Sequence, residues 1–170
     1  LCAAVCPAQA ITLKGVTRED ISEQIGAYPP PQTDAFLPFI VAFCCKRSAV
    51  RARDLASEMG CDLPEGIRII EVPCAGSISF EHLLSALQAP ADGVMILTCH
   101  EGNCHSEYGN LYAKDRAEHI TTLLSQAGFD KERVLLRTLA ANMGKEFAET
   151  TNAFAAKIME LGPSPLATRA

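Results

Sequence analysis

Four apolar runs limit what this chain can become: Phe39–Cys44, Ile67–Val72, Val94–Thr98 and Val134–Thr138. They read as near-continuous hydrophobic segments with little alternation, the pattern of strands covered on both faces. Each is followed by a stretch of helical period. A helix over 49–59 would align Ala52, Leu55, Ala56 and Met59 and stop at Gly60. One capped by Ser79 carries Phe80, Leu83, Leu84 and Leu87 on one side. A third, over 111–126, lines up Tyr112, Ile120, Leu123 and Leu124 before Gly128. The last, over 145–161, turns Phe147, Phe154, Ile158 and Leu161 inward and ends at Gly162-Pro163.

Four β-α units in series predict an α/β fold with a parallel sheet and helices on both faces. The expected strand order is 2-1-3-4, flavodoxin-like, with the switch point between the first and third strands. Right-handed crossovers would place every β-to-α loop on one edge of that sheet. Cys44, Cys74, Cys99 and Cys104 all fall in such loops. Neighbouring strands lie roughly 4.8 Å apart, so thiols distant in sequence would meet on one rim.

The turns around them, Pro73-Cys74-Ala75-Gly76-Ser77 and Cys99-His100-Glu101-Gly102-Asn103-Cys104-His105, are small or polar. Their glycines let backbone N–H groups approach sulfur. Four thiolates suit either tetrahedral zinc or an iron–sulfur cluster. Zinc ligands usually come in close C-x2-4-C pairs, whereas Cys99 and Cys104 have the C-x4-C spacing of some [2Fe-2S] proteins. His100 and His105 are read as solvent-facing or supporting the site, His82 and His119 as solvated helix residues, and Cys61 as a buried small hydrophobe.

Composition narrows the class further. The chain has 170 residues, 48% of them apolar, with a formal net charge of -5, which fits a folded domain and disfavours a nucleic-acid surface. No apolar run approaches the ~20 residues of a membrane span. Eight cysteines without a secretory signal point to a reducing, cytoplasmic setting, where thiols bind metals or react.

The first residues, LCAAVCPAQAITL, contain C-x3-C-P before a strand-like run, the back half of the bacterial ferredoxin pattern. Cys2 and Cys6 are thus expected to be ligands of a [4Fe-4S] cluster completed in a longer parent, of which this chain would be a fragment. A short helix capped by Thr17, with Asp20 three residues on, follows. Pro29-Pro30-Pro31 through Pro38 then reads as a stiff linker. The expected organisation is a truncated ferredoxin-like end plus helix over 1–28, a linker over 29–38, the α/β domain over 39–162 and a tail over 163–170.

Phe43-Cys44-Cys45-Lys46-Arg47-Ser48-Ala49, Val72-Pro73-Cys74-Ala75-Gly76 and the Cys99–His105 run with Gly109-Asn110 resemble the delta subunit of methyl-viologen-reducing hydrogenase over residues 39–161. The N-terminal LCAAVCPAQAI resembles the end of the ferredoxin portion of the flavin-containing subunit of heterodisulfide reductase, to which such a domain is sometimes fused. The resemblance implies an electron-transfer module with one [2Fe-2S] cluster held by Cys44, Cys74, Cys99 and Cys104. It would relay electrons between a hydrogenase, formate dehydrogenase or other dehydrogenase and a heterodisulfide reductase-type flavoprotein, with no substrate chemistry of its own. Some members read C-x-x-C-S in the first loop. Here Arg47 takes the second cysteine's place and Cys45 is an extra thiol, so the first-loop ligand stands open between Cys44 and Cys45.

Cys45 through Arg51 also satisfies C-x5-R between a strand and a helix, the phosphate-binding arrangement of cysteine-dependent phosphatases and arsenate reductases. No Gly or Asn opens that loop, no Ser or Thr follows Arg51, and no later Asp-Pro supplies an acid. That reading also leaves Cys74, Cys99 and Cys104 without a role.

Overall fold

The structure is a computed structural model, and it describes residues 2–6, 8, 10–27, 35–88 and 91–166. Strands β1 (Ile40–Cys45), β2 (Ile67–Val72), β3 (Gly93–Thr98) and β4 (Val134–Thr138) form one parallel sheet in the order β2-β1-β3-β4. This is the predicted topology. The inner strands β1 and β3 are buried throughout, while the edge strands β2 and β4 are partly open. That difference explains why only the inner pair lacks charged residues.

Helices α1 (Cys2–Val5), α2 (Arg18–Gly26), α3 (Ala49–Glu58), α4 (Phe80–Gln88), α5 (Gly109–Gln126) and α6 (Gly144–Leu161) are the α-helices of the described residues. Side chains of alternating strand residues split the core in two. Val41, Phe43, Val94 and Ile96 meet α2, α4 and α5 on one face. Ile40, Ala42, Cys44, Met95 and Leu97 meet α3 and α6 on the other. On the second face Gly144 lies so near α3 that a Cβ there would come within 2.8 Å of the Ala56 nitrogen.

The cap expected at Thr17 is present: its hydroxyl accepts from the Asp20 N–H (3.1 Å), and the Asp20 carboxylate accepts from the Thr17 N–H (3.0 Å). Val16, Ile21 and Ile25 then join the core shared by β1, β2 and α4. Of the proline-rich stretch, Pro29–Pro31 lie outside the described residues.

Several side chains sit elsewhere than expected. The inward stripe of α5 is Ala113, Ala117, Ile120 and Leu124, while Tyr112 and Leu123 are exposed. Small residues let α5 approach the sheet closely, and its larger side chains are left outside. Met59 is likewise exposed. His82, expected on a solvated surface, is buried. Its Nδ1 accepts from the Ser79 N–H (3.1 Å), and Ser79 Oγ accepts from the His82 N–H (3.3 Å). This is a capping box with imidazole in the usual place of a carboxylate.

Candidate metal centre

Strand register sets the site. Cys45 stands level with Val72 on one side, and Cys44 level with Leu97 on the other. Cys74 and Cys99 therefore begin just past the same sheet edge. The ladder continues to the strand ends, with the Lys46 N–H bonded to Val72 O (2.8 Å) and the Leu139 N–H to Thr98 O (2.8 Å).

Beyond that edge lies a cavity of ≈ 200 Å³ lined by Cys45, Cys74, Cys99 and Cys104. Arg47, Ser48, His100 and His105 share its walls, and Leu139–Ala141 close it from the β4 side. All four β-to-α loops thus contribute, and four thiols, one at the end of β1 and three in the next two loops, line one space.

Cys44 does not line it. The β1 strand runs one residue further than the sequence suggested, to Cys45, and the two adjacent cysteines point to opposite faces. Cys44 is buried among Ile40, Ala42 and Ala49, and that burial pushes its thiol pKa well above the ordinary value. Arg51 is exposed on the first turn of α3 and is not among the cavity-lining residues, so Cys45 and Arg51 do not form a common pocket. His105 is exposed, and His100 Nε2 lies 3.5 Å from Met143 Sδ. Cys61 is half-buried beside the α3/α6 core. Cys2 is exposed and Cys6 half-buried, and α1 lies against the turn Ala75–Ser77.

Glycines make the thiol cluster possible. A Cβ on Gly109 would overlap Cys74 Sγ and lie 3.5 Å from Cys104 Sγ, so both sulfurs converge on one bare Cα. A Cβ on Gly76 would lie 2.7 Å from the Gly109 Cα. The loop after β2 thereby rests directly on the first turn of α5.

Two polar side chains hold this junction. Asn110 is buried, and its Nδ2 donates to Cys99 O (3.2 Å). Arg116 Nη1 donates to Gly76 O (3.0 Å) and Ile78 O (2.6 Å), pinning the turn that follows Cys74. Ser77 Oγ adds a bond to Cys74 O (2.6 Å). The role of Arg116 was not visible in sequence, since it is a basic residue on a mostly polar helix.

The thiols differ in their electrostatics. Burial, with the neighbouring Cys104 sulfur, pushes Cys99 up to about 12. Burial also raises Cys104, but backbone N–H groups of Asn110 and Ser106, the Cys99 thiol and the Gly109 N–H together outweigh it and hold that thiol below its ordinary value. These N–H groups come from the start of α5 and the turn before it, where unpaired donors favour negative charge.

Among the described residues no three His, Cys, Asp or Glu side chains are gathered tightly around one point for a metal ion. The sulfurs instead ring a space. The donor set of four thiols, the Gly109 surface bare of a side chain and the N–H groups aimed at Cys104 suit a thiolate-bound inorganic centre with its own dimensions.

The family model of the methyl-viologen-reducing hydrogenase delta subunit matches residues 40–162. The vhu iron-sulfur subunit of the F420-non-reducing hydrogenase from Methanocaldococcus jannaschii is 34% identical over 129 residues, 76% of this chain and 96% of that protein. The corresponding iron-sulfur subunit from Archaeoglobus profundus is 36% identical over 126 residues, 74% of this chain and 92% of its own. A ferredoxin:CoB-CoM heterodisulfide reductase subunit from Methanosarcina mazei is 32% identical over 154 residues, which is 91% of this chain but 19% of that longer protein.

Proposed function

This chain belongs to the methyl-viologen-reducing hydrogenase delta subunit family, and from that premise we propose that it is an electron-transfer module carrying a [2Fe-2S] cluster. The observation that carries the reading is one cavity lined by four thiols from the end of β1 and the loops after β2 and β3. Cys45, Cys74, Cys99 and Cys104 would hold the cluster, with Cys45 rather than Cys44 as the first ligand. When bound, the cluster supplies one-electron storage at a potential set by its surroundings. The chain's own residues do the rest. Gly76 and Gly109 let the loops meet, Arg116 and Asn110 fix their carbonyls, and main-chain N–H groups favour the Cys104 thiolate.

Relatives named as hydrogenase iron-sulfur subunits and as part of a heterodisulfide reductase support a place between those two activities. The chain would relay electrons from a hydrogenase, formate dehydrogenase or other dehydrogenase to a heterodisulfide reductase-type flavoprotein in the cytoplasm. Tyr108, Leu111 and Tyr112 are exposed at the start of α5, beside the Cys104 loop, and offer an aromatic surface for docking. Cys2 and Cys6 would belong to a [4Fe-4S] cluster in a longer parent, with 1–28 and 29–38 as its ferredoxin end and linker and 163–170 as a tail.

The test is anaerobic purification or reconstitution followed by metal analysis and EPR. A brown protein with about two irons and two sulfides per chain, and an EPR signal on reduction, is the expected result. A colourless protein with one tightly held zinc, or phosphate-ester or arsenate turnover dependent on Cys45, overturns it.

A further inference from the structure

Ser48 occupies the N-cap position of α3, where a serine hydroxyl ordinarily accepts from a first-turn N–H. It makes no such bond. Its backbone, at φ -130° and ψ -73°, departs from the extended conformation of a capping residue. Ser48 is 4% exposed, yet its Oγ has no hydrogen-bond partner among the described residues. Buried polar side-chain atoms are nearly always paired, so an orphan of this kind calls for a partner that the polypeptide itself does not provide.

Its position says which partner. The Ser48 N–H bonds to Cys45 O (3.2 Å), closing a turn that puts both side chains on the wall of the thiol cavity. Arg116 Nη2 and Arg133 Nε are also buried without partners, but neither residue lines that cavity. A hydroxyl can donate as well as accept, and the sulfurs of a thiolate-bound cluster can only accept.

We propose that Ser48 sets the reduction potential of the centre by donating its Oγ–H to a sulfur, either the Cys45 thiolate or an inorganic sulfide. The inference rests on the iron–sulfur reading above. A hydrogen bond to sulfur withdraws electron density and favours the form that carries the extra electron, so the potential rises. Ser48 acts through the sulfur and is therefore a positioning residue for charge, with no proton transferred.

The test is an EPR-monitored redox titration of the cluster-loaded full chain and its variants. Ser48→Ala is expected to weaken reduction about tenfold, about 59 mV for one electron. Ser48→Thr, which keeps the hydroxyl, is expected to stay near the parent value. If Ser48→Ala cannot be loaded, Ser48→Gly serves in its place. Cluster loss from both, with retention in Ser48→Thr, also supports a required hydroxyl. An unchanged potential without the hydroxyl, a Ser48→Thr potential displaced as far as that of Ser48→Ala, or cluster loss from all three overturns the proposal. Absence of any cluster from the unsubstituted chain is a different failure, that of the iron–sulfur reading itself.

Discussion

Gly76 and Gly109 cross so closely that a Cβ on the first would stand 2.7 Å from the Cα of the second. Backbone therefore lies on backbone where the Cys74 loop meets the Cys104 loop. Gly76→Ala and Gly109→Ala are each expected to lower stability by about 1–3 kcal/mol, as overpacking does, and to reduce iron bound per chain. Gly102→Ala is the contrast. That residue has φ +79° with open space around it, so alanine should cost roughly 1–2 kcal/mol of backbone strain while iron content holds. Urea midpoints paired with iron analysis separate the two effects.

Cys44 and Cys45 should respond differently to replacement. Cys45→Ser is expected to abolish or visibly alter the cluster EPR signal. Cys44→Ala should leave that signal intact and cost roughly 0.5–1.5 kcal/mol, the scale of a small deletion in a packed core. Iron retention in Cys45→Ser with loss in Cys44→Ala would reverse the assignment.

Arg116 pins Gly76 O and Ile78 O through one nitrogen. Arg116→Ala should destabilise the fold by about 1.5–3 kcal/mol, the range for bonds involving a charged group. It should also speed iron release to a chelator, since the Cys74 loop loses its clamp. Arg116→Lys should recover part of both effects, because an ammonium donates but lacks the planar fork. A chelation rate equal to that of the parent argues against the clamp.

His82 gives the fold an acid limit. Burial holds its imidazole below the ordinary 6.5, with Arg116 and Arg18 adding to that direction and Glu81 opposing it. The folded form stays neutral while an unfolded chain takes up a proton, so this part of the stability is full above about pH 6.5 and falls as pH drops toward the lower folded value. His82→Gln should flatten the dependence of the urea midpoint on pH between about 8 and 5. An identical slope in the variant removes His82 as its source.

The sheet order could be read from the chain because β1 and β3 carry no charged residue and each strand is followed by a periodic helix. The meeting of loop cysteines followed from topology alone. The choice between Cys44 and Cys45 did not: both are buried, and only the register and the length of β1 decide which one faces the cavity. Hydrophobicity misled at α5, where Tyr112 and Leu123 outweigh Ala113 and Ala117 in apolar character yet lie outside. His82 was hidden for a related reason, since Ser-x-x-His does not look like the Ser-x-x-Glu of a capping box. Arg116 gave no signal at all, because its role depends on carbonyls brought near from another loop.

Three of the groups that hold the Cys104 thiol down are main-chain donors, from Ser106, Gly109 and Asn110. Amide groups neither titrate nor exchange with salt, and they cannot swing away as a lysine would. The positive field at that end of the cavity is thus written into the path of the polypeptide. Drift in the surrounding side chains could proceed without erasing it, provided the trace from Cys104 to Asn110 is preserved.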